Sequence, residues 1–275
     1  MVCVFNQAKG EGYAMLTWNE FLPFAAAASS LWLAGALSAM LPMGWSRKAS
    51  ISLISMGIVV YGCFVIGLWV GLGRPPLRTM GETRLWYSLF MMVSALTVYA
   101  RWGYRWLPFF SFVVSSAFVT VNVLHPELHD RSLPPALQSG WFVPHVTVYM
   151  FSYSLFGCAF LLALAGLFRR RVEYLPSADR LVGVGLAFLT FGMLSGCIWA
   201  KQAWGTYWSW DPKETWAAAT WCAYLAYVHY RLRYPSPERK AVPYLMLVVG
   251  FLLLQMCWYG VNLLPSAAAS LHSYN

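Results

Sequence analysis

Residues 204–216 read WGTYWSWDPKETW and lie between two long apolar runs. Four tryptophans, one tyrosine, one glycine and two carboxylates share these thirteen positions, which we call the tryptophan-rich segment. Tryptophan and tyrosine favour the interface between membrane and water, because each ring is apolar while its N–H or O–H group stays hydrated. The segment therefore predicts an interfacial location. Its density favours a platform for a flat, apolar, partly charged ligand over a plain aromatic belt.

The composition around this segment is typical of a membrane protein. The chain has 275 residues, of which 59% are hydrophobic and 11% charged, and its mean hydropathy is +0.55. Soluble domains carry about 25% charged residues. We therefore expect one polytopic domain, residues 1–275, in a lipid bilayer. The formal net charge of +9 is explained by basic cytoplasmic loops, so it does not predict nucleic-acid binding.

Eight apolar runs are candidates for transmembrane helices, so the predicted fold class is all-α. They are about Trp18–Pro42, Ile51–Leu72, Leu85–Ala100, Trp106–Leu124, Trp141–Phe168, Leu181–Ala200, Trp216–Tyr230 and Val242–Leu264. The third and seventh are short, and we expect them to borrow flanking residues.

The loops predict the orientation. Twelve lysines and arginines follow the odd-numbered runs and seven lie on the other side, which places the first set in the cytoplasm. Both termini are then external, and so is the tryptophan-rich segment, between runs six and seven. Arg74, Arg78 and Arg84 weaken this bias. The prolines and glycines around them predict a folded external segment.

Several reaction classes lack their motifs in this chain. The six cysteines include no C-x-x-C pair and no C-x-x-C-H, so the chain does not attach c-type haem to itself. No Walker A, G-x-S-x-G, H-E-x-x-H or G-x-G-x-x-G motif occurs either. An ATPase, a serine hydrolase and a zinc protease are therefore disfavoured.

The histidines are the candidate metal ligands. His145 begins the fifth run and His272 follows the eighth, so both are expected at the external surface beside the tryptophan-rich segment. Each could be a helix cap or a surface residue, but two imidazoles on opposite faces can also hold a haem. His229 lies inside the seventh run, where an ionisable residue indicates function or snorkels to the interface. His125 and His129 have helical spacing and leave a metal pair open.

Two carboxylates and one glycine of the tryptophan-rich segment have structural interpretations. Asp211 and Glu214 could form an acid/base pair. The order Asp211, Pro212, Glu214 also matches a helix N-cap, a proline at the first helical position and an acidic residue at the third, which we favour. Gly205 is expected to let a ligand or a neighbouring backbone approach closely.

The segment resembles the W-G-x-x-W-x-W-D-x-x-E pattern of the haem-handling "WWD" protein family. The pattern is matched at Trp204, Gly205, Trp208, Trp210, Asp211 and Glu214. The family has a CcmC haem-delivery branch, a much longer CcmF branch and a CcsA (ResC) branch of the system II cytochrome c synthase. The continuation DPKETWAAATW, the stretch WFVPHVTVYMFSYSLF and the ending GVNLLPSAAASLHSY are similar to the CcsA branch. The resemblance covers about residues 140–275.

The resemblance implies a function. The family exports haem b and attaches it to the CxxCH thiols of apocytochrome c outside the membrane, which makes it a holocytochrome c synthase. His145 and His272 correspond to its two external haem ligands and act in catalysis. His229 corresponds to a ligand of an inner site whose second histidine comes from a CcsB (ResB) subunit. The membrane would be the bacterial inner membrane or the thylakoid. The alternative is a CcmC-like haem chaperone without synthase activity.

The remaining residues of the segment fit a haem chemically. Haem is flat and apolar with two anionic propionates, and the aromatic rings of Trp204, Tyr207, Trp208 and Trp210 would supply area to hold it. Lys213 or the external arginines are candidates to pair with a propionate.

Overall fold

The computed structural model describes residues 16–126, 129, 135–170, 172–236, 241–265 and 270–271. Within these ranges the chain forms eight α-helices of 18 to 30 residues and no strand, so the all-α prediction is confirmed. The helices are α1 Phe21–Met40, α2 Ser46–Leu72, α3 Met80–Trp102, α4 Leu107–Leu124, α5 Phe142–Arg169, α6 Leu175–Trp204, α7 Pro212–Arg233 and α8 Ala241–Trp258.

Six of these helices are long and apolar enough to cross a membrane, namely α1, α2, α4, α5, α6 and α8. Relative to their predicted runs, α3 and α7 extend to 23 and 22 residues, so both do borrow flanking residues. At 1.5 Å per residue, 22 residues span about 33 Å, close to the thickness of a bilayer core. The chain is a multi-pass membrane protein. A count of eight spans and external termini stay predictions.

Helix α5 is the centre of the bundle. Two thirds of the residues in its most apolar stretch are buried, against one third in the corresponding stretch of each of the other five candidate spans. It packs mainly on α6, α3 and α8, while α1, α2 and α4 form a second hydrophobic cluster together with Leu85 and Met92 of α3. His145 lies in the first turn of α5. His145 is therefore carried by the most buried of the six candidate spans.

The segment before α3 is folded, as its prolines and glycines predicted. Thr79 and Glu82 form a capping box at the start of α3. Arg74 donates from both terminal nitrogens to the Glu82 carboxylate, at 2.9 and 2.8 Å. The Trp86 indole donates to the Pro76 carbonyl. This ion pair fixes the segment against the start of α3.

The opposite end of the bundle is held by another ion pair. Arg231 near the end of α7 binds the Asp179 carboxylate near the start of α6, at 3.0 Å, and the Tyr227 hydroxyl donates to the same carboxylate. This pair fixes the end of α7 to α6 two residues beyond His229. The eighth predicted run is shorter than expected, since α8 ends at Trp258 and a 3-10 turn, Gly260–Leu263, follows it.

Candidate functional site

The tryptophan-rich segment is the turn that joins α6 to α7. Helix α6 ends at Trp204, and Gly205 takes the left-handed conformation with φ of +81°. Its N–H donates to the Lys201 carbonyl at 3.1 Å, which closes the helix. A Cβ added at Gly205 would meet no described atom within 4 Å. Among the described residues the glycine is therefore explained by its backbone conformation, and not by the close approach of a neighbouring backbone.

The cap predicted for α7 is confirmed. Asp211 is the N-cap, Pro212 opens the helix, and Asp211 and Glu214 form a capping box. The Asp211 carboxylate accepts from the Lys213 N–H at 3.0 Å. The Glu214 carboxylate accepts from the N–H groups of Ser209 and Asp211, at 2.8 and 3.1 Å. Both carboxylates bind backbone donors of the turn, which supports the capping interpretation over an acid/base pair.

Asp211 also binds the C-terminal part of the chain, a contact that the sequence did not indicate. Its Oδ1 accepts from the Ser270 hydroxyl at 3.0 Å and its Oδ2 from the Leu271 N–H at 2.7 Å. Asp211 is buried, with 5% of its surface exposed. The tryptophan-rich segment is thereby tied to the two residues before His272. His272 itself lies outside the described residues.

The four aromatic residues proposed to contact haem differ in exposure. Trp204 is half-buried and its ring lies 4.8 Å from that of Trp199. Trp208 is half-buried, whereas Tyr207 and Trp210 are 59% and 69% exposed. Trp210 adopts a left-handed φ of +59° that is costly for a residue with a side chain. The segment thus has rings directed into the bundle and rings directed away from it.

A cavity of about 190 Å³ lies below the segment, among α5, α6, α7 and α8, and we call it the His145 cavity. Tyr207 and Trp208 of the segment line it, while Trp204 and Trp210 are not among its described lining residues. Other lining side chains are those of His145, Tyr149, Trp199, Lys213, Cys257 and Trp258. The walls are mostly aromatic and apolar, with one imidazole, one ammonium group and the carboxylate of Glu214.

The His145 ring is held in one orientation. Its Nδ1 lies 2.8 Å from the Gly192 carbonyl of α6. A carbonyl only accepts, so Nδ1 carries the proton and Nε2 is the nitrogen with the lone pair. The Tyr149 ring meets the imidazole edge-on at 4.6 Å and the Trp199 ring stacks on it at 5.4 Å. A neutral imidazole with this hydrogen bond is the usual form of a metal-ligating histidine.

Lys213 brings a positive charge to the cavity. Burial lowers the pKa of its ammonium group, and the nearby Cys257 and Asp211 oppose that shift. The Cys257 thiol donates to the Lys213 carbonyl at 3.5 Å, and the Tyr153 hydroxyl lies 3.7 Å from the same sulfur. The cavity floor therefore joins the start of α7 to α8. The hydrophobic periodicity of the sequence did not predict these contacts, because Lys213, Cys257 and Tyr153 lie on three separate helices.

His229 repeats the hydrogen bond of His145 in a different setting. Its Nδ1 lies 2.9 Å from the Leu225 carbonyl of the preceding turn, so Nε2 again has the lone pair. The ring is exposed on the outer face of α7. This exposure agrees with the prediction that any second ligand at His229 comes from another chain.

His125 and His129 do not form a metal pair with a third ligand among the described residues. His125 is exposed, whereas His129 is buried and stacks on Trp18 with ring centroids 3.7 Å apart. No group of three or more histidine, cysteine or acidic side chains within the described ranges is arranged to hold a metal ion. Packing against Trp18 explains His129.

The fold and the site define a class of protein. The chain belongs to the cytochrome c assembly protein family, whose profile matches residues 27–268. Within that family it is of the CcsA type and takes part in cytochrome c biogenesis, as the resemblance predicted.

Two relatives show the extent of the similarity. The cytochrome c biogenesis protein CcsA of Chlamydomonas reinhardtii is 34% identical in an alignment that covers 83% of this chain and 69% of the relative. CcsA of Amborella trichopoda is 30% identical in an alignment that covers 84% of this chain and 87% of the relative.

A solved structure shares the fold. The cytochrome c haem lyase CcmF matches 92% of this chain with a TM-score of 0.69 and 17% sequence identity. The present chain covers 48% of that protein, about half its length. At this level of identity the match shows a common fold and no more.

Proposed function

We propose that the chain binds haem b in the His145 cavity and attaches it to the CxxCH thiols of apocytochrome c on the external face of the membrane. It would act as a holocytochrome c synthase together with a CcsB (ResB)-like membrane subunit. The observation that carries this proposal is the His145 imidazole, which lines an aromatic cavity with Nδ1 bound to the Gly192 carbonyl at 2.8 Å. The membrane would be the bacterial inner membrane or the thylakoid.

The lining groups of the cavity match the chemistry of haem as a substrate. Its volume of about 190 Å³ is below the roughly 300–1,000 Å³ of pockets that enclose a ligand, so the cavity would hold one edge of the macrocycle. Trp199, Trp208 and Trp258 offer apolar ring surface for a flat macrocycle. His145 offers Nε2 to the iron, and the Gly192 carbonyl selects the neutral tautomer in which that nitrogen holds the lone pair and raises its basicity. Lys213 offers a cation in the cavity lining for a propionate. Each chemical feature of haem thus has a complementary group on this chain.

The second ligand in this proposal is His272. Its support is the sequence resemblance together with the binding of Ser270 and Leu271 to the Asp211 carboxylate. Asp211 caps the helix that begins above the cavity and also holds the residues that precede His272. It therefore supports both the cavity wall and the chain that leads to the second ligand.

Thioether formation needs no oxidant or reductant. The S–H group of each apocytochrome cysteine adds across a vinyl C=C bond, which forms one C–S bond and one C–H bond. The chain contributes by holding the substrate with its vinyl groups toward the incoming thiols, and such positioning is worth several kcal/mol of a barrier. Tyr207, which is exposed at the mouth of the cavity, shields one edge from water.

Arg84 is a second candidate to bind a propionate. Its Nε donates to the Tyr259 hydroxyl at 3.3 Å, and its Nη1 is buried without a hydrogen-bond acceptor among the described residues. A buried cationic N–H without an acceptor is costly, so this position favours an anionic ligand group. Arg84→Gln and Lys213→Gln would each weaken haem retention, and the larger loss identifies the principal contact.

His229 would belong to the inner haem site during export. Cys222 and Ala226 share the exposed side of α7 with it. Small side chains at such a helix surface permit close approach of another membrane helix. A histidine of the CcsB-like subunit would then supply the second ligand.

The test is co-expression with a CcsB-like subunit in a host that lacks other cytochrome c maturation genes. Covalent haem in a reporter cytochrome c is measured by gel haem stain and by the pyridine haemochrome spectrum. We expect covalent cytochrome with the wild-type chain and none with His145→Ala or His272→Ala. Haem-loaded protein that makes no covalent cytochrome would instead favour a CcmC-like chaperone. A complex without haem would contradict both.

A further inference from the structure

Helix α6 carries two glycines, one turn apart, where the His145 ring contacts it. A Cβ added at Gly196 would lie 2.7 Å from both Nδ1 and Cε1 of His145. Real Cβ atoms essentially never approach another heavy atom this closely, so any side chain at this position must displace the ring.

The geometry of an α-helix explains why Gly196 controls access to the Gly192 carbonyl. That carbonyl points along the helix toward residue 196, and every Cα–Cβ bond tilts toward the helix N-terminus. A side chain at 196 would therefore stand beside the 192 carbonyl oxygen. Without it, His145 donates to this oxygen at 2.8 Å, alongside the Ser195 hydroxyl at 3.0 Å.

We propose that Gly196 is a positioning residue for His145. Because Gly196 has no side chain, the imidazole can lie directly against α6. We call this space beside Gly196 the seat of the ring. In it Nδ1 is protonated and Nε2 is the ligand nitrogen. This inference rests on the proposed role of His145 as a haem ligand. It adds which residue of the chain sets the tautomer and place of that ligand.

Contacts on three sides leave the cavity as the direction in which the ring can move. Tyr149 meets one edge of it, Trp199 stacks on it, and α6 closes the side toward Gly196. A methyl group at 196 would push the ring off the Gly192 carbonyl, so that either nitrogen could carry the proton. Loss of such a supporting hydrogen bond typically costs roughly 10- to 100-fold in metal affinity.

The experiment compares Gly196→Ala with two alanine variants of the same helix. Gly183→Ala adds a methyl group to open space, since no described atom beyond its own stretch of helix lies within 4 Å of its Cβ position. Gly185→Ala overpacks the same α5–α6 interface, with its Cβ 2.8 Å from the Phe156 ring. The second control therefore imposes a similar steric conflict at a distance from His145.

Two readouts separate positioning from haem binding. The first is the rate at which diethyl pyrocarbonate modifies His145 in the full chain without haem, read by peptide mass spectrometry, with the exposed His125 as internal reference. The second is the haem content and visible spectrum of each variant purified with its CcsB-like subunit, with and without added imidazole.

We expect Gly196→Ala alone to change the His145 labelling rate relative to His125. It should also reduce haem affinity by roughly 10- to 100-fold, with imidazole restoring the wild-type spectrum. An unchanged labelling rate would overturn the inference, and so would an equal change in Gly185→Ala. A changed labelling rate with unchanged haem binding would keep the positioning role and contradict the ligand role of His145.

A second test uses the wild-type protein, so it does not depend on whether Gly196→Ala folds. Nitrogen-15 NMR of histidine-labelled wild-type protein, with His145→Gln for assignment, reports which nitrogen is protonated. We expect a protonated Nδ1 for His145, and the opposite tautomer would overturn the inference.

Discussion

The His145 cavity and the outer face of α7 present the same chemical group in opposite surroundings. In both places an imidazole donates from Nδ1 to a backbone carbonyl, at 2.8 Å for His145 and 2.9 Å for His229. The His145 carbonyl belongs to a different helix and aromatic rings enclose the imidazole. The His229 carbonyl belongs to its own helix and the ring is exposed.

The difference indicates how each site is completed. The first imidazole is oriented by tertiary packing, so its site is built mostly by this chain. The second is oriented only by its own helical turn, so in the proposed function its site would need another protein. One chain would then carry a preformed haem site and half of a shared one.

Removal of His145 should have the largest effect. His145→Ala removes the proposed iron ligand and leaves the Gly192 carbonyl without its side-chain donor. We expect the yield of covalent cytochrome c to fall at least roughly 10- to 100-fold, measured in the co-expression assay. His125→Ala is the matched control, since His125 is exposed and outside the cavity. An unchanged yield in His145→Ala would show that the enclosed imidazole is not a ligand.

Removal of His229 should matter only with the partner. Because the ring is exposed and bonds only within its own turn, His229→Ala should leave the thermal stability of the isolated chain unchanged. With the CcsB-like subunit present it should abolish haem at the inner site, read by the absorption spectrum of the purified complex. The same haem content in wild type and variant would contradict the shared site.

The Asp211 contacts should matter both for the stability of the chain and for the site above the His145 cavity. Asn is as good an N-cap as Asp, so Asp211→Asn keeps the start of α7. An amide has one acceptor oxygen, so the Ser270 and Leu271 donors cannot both be satisfied. We expect the free energy of unfolding to fall by about 1.5–3 kcal/mol and the haem spectrum to change. Thr79→Ala, which removes the α3 cap, should cost about 1 kcal/mol without any spectral change.

Several of these features were predictable because their causes are local. The α7 cap follows from Asp211, Pro212 and Glu214, which are neighbours in sequence. The number of helices follows from the apolar runs. The inclusion of flanking residues in α3 and α7 follows from the shortness of their apolar runs.

Other features were not predictable from spacing. The Asp211–Ser270 contact joins residues 59 positions apart. The seat at Gly196 requires knowing that His145 faces α6, and two glycines four apart also occur in ordinary helix packing. The orientations of Tyr207 and Trp210 depend on irregular backbone, for which no periodic pattern exists.

The Trp199 side chain allows a test of how aromatic packing around His145 shapes the site. Its indole donates to the Ala136 carbonyl at 2.8 Å. Trp199→Phe should cost about 1 kcal/mol of stability and shift the haem spectrum through the altered packing on His145. Trp221→Phe loses a similar bond, 2.9 Å to Thr190, and should cost the same without a spectral shift. Equal spectra in both variants would show that Trp199 does not shape the site.

The smallest effect is expected at Trp210. Glycine adopts the left-handed conformation without steric cost, so Trp210→Gly should leave the free energy of unfolding unchanged or raise it by up to about 1 kcal/mol. Tyr207→Gly, at an exposed residue with ordinary φ, should lower it by about 0.5–1 kcal/mol. Thermal unfolding in detergent compares the two. A large destabilisation by Trp210→Gly would mean that the exposed ring supports the fold.

The most direct test of a preformed site is the visible absorption spectrum of the complex with its CcsB-like subunit, recorded for wild type and for His145→Gly with and without imidazole. A bis-imidazole low-spin spectrum is predicted for the wild type. His145→Gly should lose it and regain it when imidazole fills the vacated seat. A His145→Gly complex that keeps the wild-type spectrum without imidazole would contradict the account.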